Sequence, residues 1–341
     1  MAAGYRVAVV GATGAVGQEF LTVLKERGFP IAELKVLADE SWDGKQITFG
    51  DEQLTVQTAV PESFRGVEIA LFATNGPVSE ALVPEAVKRG AVAIDNSSAF
   101  RLDPEIPLVV PEVNPQDVGW HKGIIANPNC STILFVVPIK PLHDAARIKR
   151  AVVSTYQAVS GAGAAGLDEL LTQTRQVLAG ESIQPGVFPY QIAFNLIPHI
   201  DVFDENGYSR EEMKMVLETR KILHDQNLKI SATTVRVPVF RSHSESVNIE
   251  TERKLTPGAA RAILAGAPGV VVEDDPRGLK YPMPLFSSNH DEVFVGRIRD
   301  DLSCEQGLNF WLCGDQLRKG AATNAVQIAE LLVNDRPARR I

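Results

Sequence analysis

Long apolar segments and cysteine are scarce in this sequence. No apolar run approaches the ~20 residues that a membrane-spanning helix needs, and the first residues, MAAGYRVAVVGATG, lack the basic segment and long apolar stretch of a secretory signal. The three cysteines, Cys130, Cys304 and Cys313, are odd in number and widely spaced, which matches neither a disulfide framework nor a metal site. We therefore expect a cytoplasmic protein with reduced thiols and no bound metal.

Positive charge is also in short supply. The 341 residues include 34 Lys and Arg against 42 Asp and Glu, a net charge of -8, and no basic block or stripe stands out. Nucleic acid and anionic membranes are therefore not expected as partners. With 45% hydrophobic and 22% charged residues, the chain has the composition of a globular protein long enough for two domains. We expect its partners to be small molecules or proteins.

Strand-like and helical segments alternate in the first third of the chain. Residues 5–10 are rich in β-formers, and residues 15–27 have helical periodicity with Gly28 as a stop; KVLAD, VEIALFAT, SEALVPEAVKRG and AVAIDN continue the alternation. This βαβ rhythm predicts a doubly wound, Rossmann-type α/β domain. In that class, helices cover both faces of a parallel sheet and ligands bind at the carboxyl ends of the strands.

The rhythm changes at about Lys149. VVSTYQAVS, ISATTVRVPVF, ESVNIETE and EVFVGRIRDD resemble strands of a mixed or antiparallel sheet, with helical stretches between them. We predict a dinucleotide-binding domain over residues 1–129 and a second, α+β domain over residues 130–315. Residues 308–332 have a helical pattern, and a C-terminal helix at about residues 316–341 is expected to pack back on the first domain.

A glycine-rich turn follows the first predicted strand. In GATGAVG three glycines stand three apart and open the first helix, which suits a tight turn and close approach of a pyrophosphate to backbone N–H groups. The spacing is GxxGxxG rather than GxGxxG, so a merely structural turn is the alternative; the context favours a dinucleotide site. The candidate cofactor contacts are Gly11, Thr13, Gly14, Ala15, Val16 and Gly17.

The end of the second predicted strand carries acids and no arginine. Asp39, Glu40 and Asp43 surround Ser41 and Trp42. A carboxylate at this place accepts a hydrogen bond from a free ribose 2′-hydroxyl and repels a 2′-phosphate. The local residues therefore favour NAD or weak discrimination.

Cys130 occupies a strand-turn-helix junction. In ANPNCST a Pro-Asn turn follows one apolar run, and Ser and Thr precede another. Backbone N–H groups at a helix start stabilise an anion, so a thiolate would be activated here. The alternative is an inert, buried thiol, and catalysis needs a base elsewhere in the chain.

His243 is the candidate base. It lies in RVPVFRSHSES, an odd number of residues after Arg236, so in an unbroken strand the two side chains would face opposite ways. If they share a site, the chain must bulge or turn between Pro238 and Ser242. The alternative for one histidine among polar residues is a solvated loop.

Two further stretches allow alternative interpretations. Glu211 and Lys214 stand three apart at the start of a helix whose capping box is Ser209 with Glu212, and on the residues alone an exposed ion pair is favoured. The small residues between Gln157 and Gly166 either admit a flat ligand or form a flexible turn.

Four motifs in one order carry a family resemblance. ANPNCST, YQAVSGAGAAG, SREEMKMVLETRKIL and RVPVFRSHSES together resemble aspartate-semialdehyde dehydrogenase of the bacterial type, and the likeness runs from GATGAVG to DQLRKGAATNAVQIAE. The resemblance implies a phosphorylating aldehyde dehydrogenase that interconverts L-aspartate 4-semialdehyde, phosphate and NADP with L-4-aspartyl phosphate and NADPH. It runs reductively toward lysine, diaminopimelate, threonine and methionine.

The resemblance also implies roles for individual residues. Cys130 matches the nucleophile that forms the acyl-enzyme thioester, and His243 matches the acid/base. Gln157 matches the residue that orients the substrate, Arg236 the clamp on its α-carboxylate and Glu211 the partner of its α-ammonium. The matching phosphate ligands are Arg101, Lys214 and Asn129, of which Asn129 could also hold an oxyanion. Further cofactor contacts match Ser41, Ser160, Gly161 and Asn324.

The cofactor and the assembly follow from the family with one departure. Many members carry an Arg-Ser pair on the 2′-phosphate where this chain has Ser41-Trp42, so NADP is the family expectation and NAD a live competitor. Family members are homodimers or homotetramers built through the second domain, and we expect the same here. Cys304 and Cys313 match no family role, and Cys313 is expected in the core, on a helix.

Two other functions stay open at this point. N-acetyl-glutamyl-phosphate reductase has the same architecture and also uses a cysteine and a dinucleotide, but its acylated substrate has no need of Glu211 facing an ammonium group. A catalytically silent paralogue would be expected to lose Cys130 or His243, and both are present. Activity on the two aldehydes, or alkylation of Cys130 as a function of pH, separates these alternatives.

Overall fold

The computed structural model describes residues 4–334. These residues form two compact units, one made of residues 4–129 together with 321–334 and the other of residues 130–320. The second unit is continuous in sequence, whereas the first is completed by the segment that follows the second.

The first unit contains a six-stranded parallel sheet and a small antiparallel hairpin. Its strands are β1 (Tyr5–Val10), β2 (Ile31–Ala38), β3 (Gln46–Phe49), β4 (Glu52–Thr55), β5 (Gln57–Thr58), β6 (Ile69–Phe72), β7 (Val92–Asp95) and β8 (Ile124–Ala126). Its α-helices are α1 (Ala15–Glu26), α2 (Gly76–Lys88) and α8 (Thr323–Asn334). The sheet has the order β5-β2-β1-β6-β7-β8, and β3 pairs with β4.

The sheet order confirms the doubly wound prediction. The chain moves outward from β1 through β2 to β5, then returns to the other side of β1 and moves outward again through β6, β7 and β8. The reversal between β1 and β6 creates a crevice at the carboxyl ends of these strands, which is where ligands bind in open α/β sheets. The glycine-rich turn after Val10 lies at this edge.

Both faces of the parallel sheet are buried, because β1 alternates its side chains between two apolar clusters. Val7 and Val9 pack in one cluster, and Ala8 and Val10 pack in the other. Helix α8 contributes to the first cluster, and its Glu330 receives hydrogen bonds from Arg27 at the end of α1. The C-terminal helix is therefore an integral part of the core of this unit.

The second unit is an α+β structure around a mixed sheet, as predicted. Its strands are β9 (Ile148–Gln157), β10 (Lys229–Arg236), β11 (His243–Thr251), β12 (Val270–Val272), β13 (Val293–Asp300) and β14 (Gly307–Gly314). Its α-helices are α3 (Cys130–Ala146), α4 (Gly163–Ala179), α5 (Arg210–Ile222), α6 (Pro257–Ala265) and α7 (Pro284–Ser287). The order is β10-β9-β11-β14-β13-β12, parallel at both outer pairs and antiparallel between them.

Helix α3 lies at the centre of the second unit. It contacts α5 and α6 as well as strands β9, β11, β13 and β14, and 12 of its 17 residues are buried. A helix that is apolar all round is stable only when it is surrounded by protein in this way. The packing fixes the position of the first residue of the helix, Cys130.

The predicted helix over residues 308–332 is wrong in its first part. Residues Gly307–Gly314 form β14, which pairs with β11 and β13, and Cys313 is buried in this strand rather than on a helix. A central strand buried on both faces is a continuous apolar run, which periodicity alone does not distinguish from a helix. The helical part begins with a π-helical turn at Arg318–Ala322 and continues as α8; residues 335–341 of the predicted helix lie outside the described residues.

Candidate active site

The glycine-rich turn is shaped by close backbone contacts in the first unit. Gly11 has φ +79°, and a Cβ atom there would lie 2.4 Å from the carbonyl oxygen of Ala73. A Cβ atom on Gly17 would lie 2.0 Å from the carbonyl oxygen of Gly11, so the turn and the first helix could not approach each other with larger residues. Gly14 is the N-cap of α1. The backbone N–H groups in the first turn of this helix are suited to binding an anion.

A cleft of about 690 Å³ opens beside this turn. Among its lining residues are Gly11, Thr13 and Gly14 from the turn, with Asp39 and Glu40 from the end of β2. Ala15, Val16 and Gly17 continue into the first turn of α1 instead of lining the cleft. The arrangement is a dinucleotide-sized groove with carboxylates at one end.

The acids after β2 are not equivalent. The carboxylate of Asp39 accepts hydrogen bonds from the hydroxyl and backbone N–H of Ser41, which lower its pKa. Asp43 instead accepts from the backbone N–H of Thr58 at 2.9 Å and does not line the cleft. Lys45, which sequence reasoning missed, stacks 4.5 Å from the ring centroid of Trp42. Only two of the three predicted acids, Asp39 and Glu40, therefore line the cleft.

Arg101 and Asn324 belong to hydrogen-bond networks of the first unit. Arg101 is buried and donates through Nε to the carbonyl oxygen of Asn127 at 2.9 Å and through Nη2 to that of Asn96 at 2.6 Å. Asn324 is fully buried and donates to the side-chain oxygen of Asn127 at 2.6 Å and to the carbonyl oxygen of Val109 at 2.9 Å. Both side chains therefore contact Asn127, which directly follows β8.

The predicted junction at Cys130 is confirmed. Strand β8 ends at Ala126 and α3 begins at Cys130, with the buried Asn129 as the preceding residue. The Sγ atom of Cys130 lies 3.5 Å from Nε2 of His243. A Cβ atom at Gly320 would lie 3.1 Å from the Cβ atom of Cys130, so a larger residue at position 320 would crowd the thiol.

His243 reaches Cys130 because the chain turns before it. Arg236 ends β10 and His243 begins β11, and between them Ser242 has φ +73°. The predicted turn is therefore present, and the alternative of a solvated loop is wrong because His243 is fully buried. Burial and, secondarily, the positive charge of Arg236 hold the pKa of His243 well below its ordinary value.

Gln316 ties together the two turns that flank this site, and sequence reasoning missed it. Its side-chain oxygen accepts a hydrogen bond from the backbone N–H of Ser242 at 2.8 Å, and its side-chain nitrogen donates to the hydroxyl of Ser160. Ser160 and Ser242 are far from Gln316 in sequence, so no local pattern predicts these contacts. The only signal in the sequence was the position of Gln316 in the motif DQLRKG.

Gly161 leaves the space that Arg236 and His243 occupy. A Cβ atom at Gly161 would lie 2.8 Å from Nη1 of Arg236 and 3.4 Å from Cε1 of His243. Nη1 of Arg236 also donates to the carbonyl oxygen of Ala158 at 2.7 Å. The small-residue segment after β9 thus begins with a short helical turn, Val159–Ala162, in which Gly161 lies against Arg236 and His243.

Glu211 is buried, so the ion pair with Lys214 that the residues alone favour is present, but its predicted exposure is wrong. Its Oε1 accepts from Nε2 of Gln157 at 3.1 Å, and its Oε2 accepts from Nζ of Lys214 at 3.0 Å. Lys214 also donates to Asp201 at 2.8 Å; although burial opposes its charge, these carboxylates raise its pKa. The Ser209 and Glu212 capping box is present, and α5 packs on α3 and β10, which turns this face inward.

Glu245 is a buried acid that sequence reasoning missed. It stands two residues after His243 in β11, on the same face of the strand. It is completely buried, neither carboxylate oxygen has a hydrogen-bond partner, and burial raises its pKa well above the ordinary value. The signal was an acid at an inward position of an otherwise buried strand.

Metal-binding clusters and membrane-spanning helices are both absent from residues 4–334. In that range no group of three His, Cys, Asp or Glu side chains is arranged to hold a metal ion. Over the same range no helix is both long and apolar enough to cross a membrane.

Comparisons with known proteins give one result over the whole chain. The model of the semialdehyde dehydrogenase NAD binding domain matches residues 6–121, and that of the semialdehyde dehydrogenase dimerisation domain matches residues 139–319. Aspartate-semialdehyde dehydrogenase of Aquifex aeolicus (strain VF5) is 57% identical over 336 residues, which cover 97% of this chain and 99% of the relative. The enzyme of that name from Bacillus subtilis (strain 168) is 52% identical over 340 residues, covering 97% and 98%.

A solved structure gives the same result in three dimensions. The crystal structure of aspartate semialdehyde dehydrogenase II from Vibrio cholerae, complexed with ASA, superposes with a TM-score of 0.95 at 47% sequence identity. The match covers 98% of this chain and 99% of that chain. The similarity therefore includes both units.

Proposed function

Because this chain belongs to the semialdehyde dehydrogenase family, we propose that it is an aspartate-semialdehyde dehydrogenase. It interconverts L-aspartate 4-semialdehyde, phosphate and an oxidised nicotinamide dinucleotide with L-4-aspartyl phosphate and the reduced dinucleotide. The observation that carries this proposal is the 3.5 Å contact between Cys130 Sγ and His243 Nε2 at the start of α3. In the reductive direction the reaction serves lysine, diaminopimelate, threonine and methionine synthesis.

Cys130 is the nucleophile of the proposed reaction. The first N–H groups of α3 and the neighbouring imidazole favour a thiolate over a thiol, and the thiolate attacks the aldehyde carbon. Asn129 precedes it and supports the oxyanion of the adduct. After oxidation the product is a thioester on Cys130, which phosphate attacks to release the acyl phosphate.

Arg236, Glu211 and Gln157 recognise the amino-acid part of the substrate. A planar guanidinium pairs well with the α-carboxylate, and the buried carboxylate of Glu211 pairs with the α-ammonium. Gln157 is already bonded to Glu211 at 3.1 Å, so it orients the acid as well as the substrate. The carboxylate of Glu211 can pair with a free ammonium group on the substrate but gains no charged partner from an acylated amine, which favours an aspartate derivative over an acylated amino acid.

Arg101 and Lys214 supply the positive charge for phosphate. The ammonium group of Lys214 donates to Glu211 and Asp201. To bind phosphate, Lys214 must give up one of these two contacts or add phosphate as a third acceptor. Arg101 is oriented by two backbone carbonyl groups. Two cations suit the dianionic phosphate that attacks the thioester and the acyl phosphate that leaves.

The groove of the first unit holds the dinucleotide. Gly11 and Gly17 let the turn after β1 pack tightly against neighbouring backbone, and the N–H groups at the start of α1, beside the cleft, suit a pyrophosphate. When bound, the dinucleotide supplies the hydride acceptor. NADP is the family expectation, but Asp39 and Glu40 line the groove, and we propose that NAD is also used.

The protein works as a homodimer or homotetramer through its second unit. Residues 139–319 match a dimerisation domain, and seven exposed large apolar side chains of that unit fall within residues 187–208. They are Val187, Tyr190, Phe194, Leu196, Val202, Phe203 and Tyr208. We propose that this segment contributes to the interface; Phe194→Glu should lower the mass measured by light scattering, while Leu302→Glu, at an exposed site elsewhere, should not.

The proposed function is tested by following reduced-dinucleotide formation from L-aspartate 4-semialdehyde with and without phosphate. Turnover that requires phosphate and is absent from Cys130→Ser is the expected result. No turnover with either NADP or NAD in folded protein would contradict the proposal, and activity on N-acetyl-glutamate semialdehyde would replace it with the acylated-substrate reductase.

A further inference from the structure

Arg236, the proposed clamp on the α-carboxylate, lies against an aromatic ring. The central carbon of its guanidinium, Cζ, lies 5.8 Å from the centroid of the Phe188 ring. Both residues are buried. A guanidinium within about 6 Å of the face of an aromatic ring is attracted by the ring quadrupole, and the attraction is larger where water is excluded. Phe188 is therefore an energetic partner of the arginine that is expected to bind substrate.

An uncharged partner suits the buried guanidinium of Arg236. Burial lowers the pKa of this group from its ordinary value, and the negative charge of Glu211 opposes the shift. A buried cation needs partners, because desolvation disfavours its charged form. The face of the Phe188 ring stabilises the cation without accepting any of its hydrogen bonds. The ring therefore does not compete with a substrate carboxylate for the donors of Arg236.

Two contacts define the orientation of the guanidinium of Arg236. Its Nη1 donates to the carbonyl oxygen of Ala158 at 2.7 Å, and its Cζ lies over the ring of Phe188. The hydrogen bond alone would let the guanidinium plane rotate about the bond, and contact with the ring limits this rotation. With Nη1 bonded to Ala158, the edge formed by Nε and Nη2 is the one that can take both oxygens of a carboxylate.

The main chain of Arg236 is bonded to the same region of the protein as its side chain. The N–H of Arg236 donates to the carbonyl oxygen of Ile197 at 2.8 Å, and the N–H of Ile197 donates to the carbonyl oxygen of Arg236 at 3.0 Å. Ile197 also belongs to the apolar cluster that contains Phe188 and Leu170. The backbone and the guanidinium of Arg236 are thus both held by the segment that joins α4 to α5.

Helix α4 fixes the course of this segment on both sides of Phe188. The carboxylate of Glu169 accepts hydrogen bonds from the two backbone N–H groups that directly precede Phe188. The side-chain oxygen of Gln173 accepts from the N–H groups of Ile192 at 2.8 Å and Ala193 at 3.2 Å. Gln173 also donates to Glu169 at 2.8 Å. The place of the ring is therefore set by a pair of bonded side chains one helical turn apart.

We propose that Phe188 is a positioning residue whose ring holds the guanidinium of Arg236 in the plane in which its Nε and Nη2 atoms meet the α-carboxylate of the substrate. The proposal deepens the function above and rests on it for the identity of the substrate. The ring acts through the carboxylate clamp and takes no part in the steps at Cys130. Its removal therefore affects substrate binding, and hence KM, more than it affects kcat.

Steady-state kinetics of substituted proteins test this role. Phe188→Leu keeps an apolar side chain in the cluster but removes the ring, and we expect the KM for L-aspartate 4-semialdehyde to rise about tenfold while kcat changes less than about threefold. Phe188→Tyr keeps the ring and should restore most of the affinity. Leu170→Val, in the same cluster, is the control for lost packing and should lower the melting temperature without raising KM. An unchanged KM in Phe188→Leu, or an equal rise in Leu170→Val, would overturn the proposal.

Hydrogen exchange at the Nε–H group of Arg236 tests the same role without turnover. The full-length protein is labelled with ¹⁵N-arginine, and the NMR signal is assigned by its loss in Arg236→Lys. A guanidinium held against the ring opens to solvent less often, so we expect exchange at least about tenfold faster in Phe188→Leu than in the unsubstituted protein or in Leu170→Val. Equal rates in Phe188→Leu and the unsubstituted protein would overturn the positioning role. The expected rates in a protein that does not turn over aspartate semialdehyde would overturn the proposed function alone.

Discussion

The Oε1 atom of Glu211 accepts a hydrogen bond from Nε2 of Gln157 at 3.1 Å. One residue belongs to α5 and the other ends β9, so the contact joins two elements that are distant in sequence. Glu211 is buried, whereas the local sequence alone favours an exposed position for it. A buried, charged carboxylate is stable only with partners, and here the partners are Gln157 and Lys214.

Replacement of Glu211 should therefore act on substrate binding. We expect Glu211→Gln to raise the KM for aspartate semialdehyde about 100-fold, about 2.7 kcal/mol, with a smaller change in kcat, because a charge-assisted contact to the α-ammonium is lost in ground and transition states alike. Steady-state kinetics with aspartate semialdehyde and with succinate semialdehyde, which lacks the amine, measure this. A variant that still prefers the amino substrate as strongly as before would rule out the assigned role.

A methyl group at position 161 should disturb two functional side chains at once. Its Cβ would lie 2.8 Å from Arg236 Nη1 and 3.4 Å from His243 Cε1, so we expect Gly161→Ala to lower kcat/KM by at least about 100-fold. Gly258→Ala is the matched control, because nothing lies within 4 Å of the added atom, and in α6 it should leave activity unchanged. A kcat/KM of Gly161→Ala close to that of the unsubstituted protein would contradict this prediction, because the turn would then accommodate the methyl group without displacing Arg236 or His243.

Much of this architecture could be predicted from sequence. The helix after GATGAVG, the parallel strands and the junction at Cys130 follow local patterns of apolar residues, glycines and caps. Strand β14 could not be predicted, because its buried apolar run fits helix and strand alike. Which face of α5 is buried could not be predicted either. A capping box indicates where a helix begins but not which neighbouring elements pack against it.

The contacts that organise the site are the least visible in sequence. Gln316 bridges two turns through a long-range pair of hydrogen bonds. The backbone N–H of Ala158 donates a hydrogen bond to Nδ1 of His243 at 3.0 Å. Almost any residue type carries a backbone N–H, so the residue type does not indicate this contact. Such relationships depend on the fold as a whole, whereas Cys130, His243 and Arg236 could be recognised by type and motif.

Glu245 should make the protein less stable as pH rises. Burial raises its pKa well above the ordinary value, so the folded protein holds a proton that the unfolded chain releases above its own lower pKa. The stability associated with that proton is complete below the unfolded pKa and is lost as pH rises toward the folded pKa.

We therefore expect Glu245→Gln to raise the melting temperature more at about pH 8 than at about pH 5, as measured by calorimetry. Glu305→Gln, at an exposed site, should shift both values equally. An identical effect of Glu245→Gln at the two pH values would contradict a buried neutral acid.

The residues after β2 should weaken discrimination between the two dinucleotides. Because Asp39 and Glu40 line the groove and no arginine follows β2, we expect kcat/KM with NAD to lie within about tenfold of that with NADP, ~1.4 kcal/mol. Asp39→Ser should shift the ratio toward NADP, whereas Asp43→Ser, at a residue outside the groove, should shift it less. A preference of the unsubstituted protein for NADP above about 100-fold, ~2.7 kcal/mol, would refute this.

The cysteines should differ sharply in reactivity. Burial raises the pKa of Cys313 to about 11, and its sulfur contacts the hydroxyl groups of Ser244 and Ser287, whereas Cys130 begins a helix and faces an imidazole. Iodoacetamide near neutral pH should alkylate Cys130 well before Cys313, as followed by peptide mass spectrometry. Faster labelling of Cys313 would be incompatible with these environments.

The central claim is that a thioester forms on Cys130, and trapping it is the most direct test. The protein is mixed with aspartate semialdehyde and an oxidised dinucleotide in the absence of phosphate, quenched in acid and digested. We predict that the peptide containing Cys130 gains the mass of the aspartyl group and that phosphate added before the quench removes it. An unmodified Cys130 peptide in protein that forms reduced dinucleotide would contradict the account.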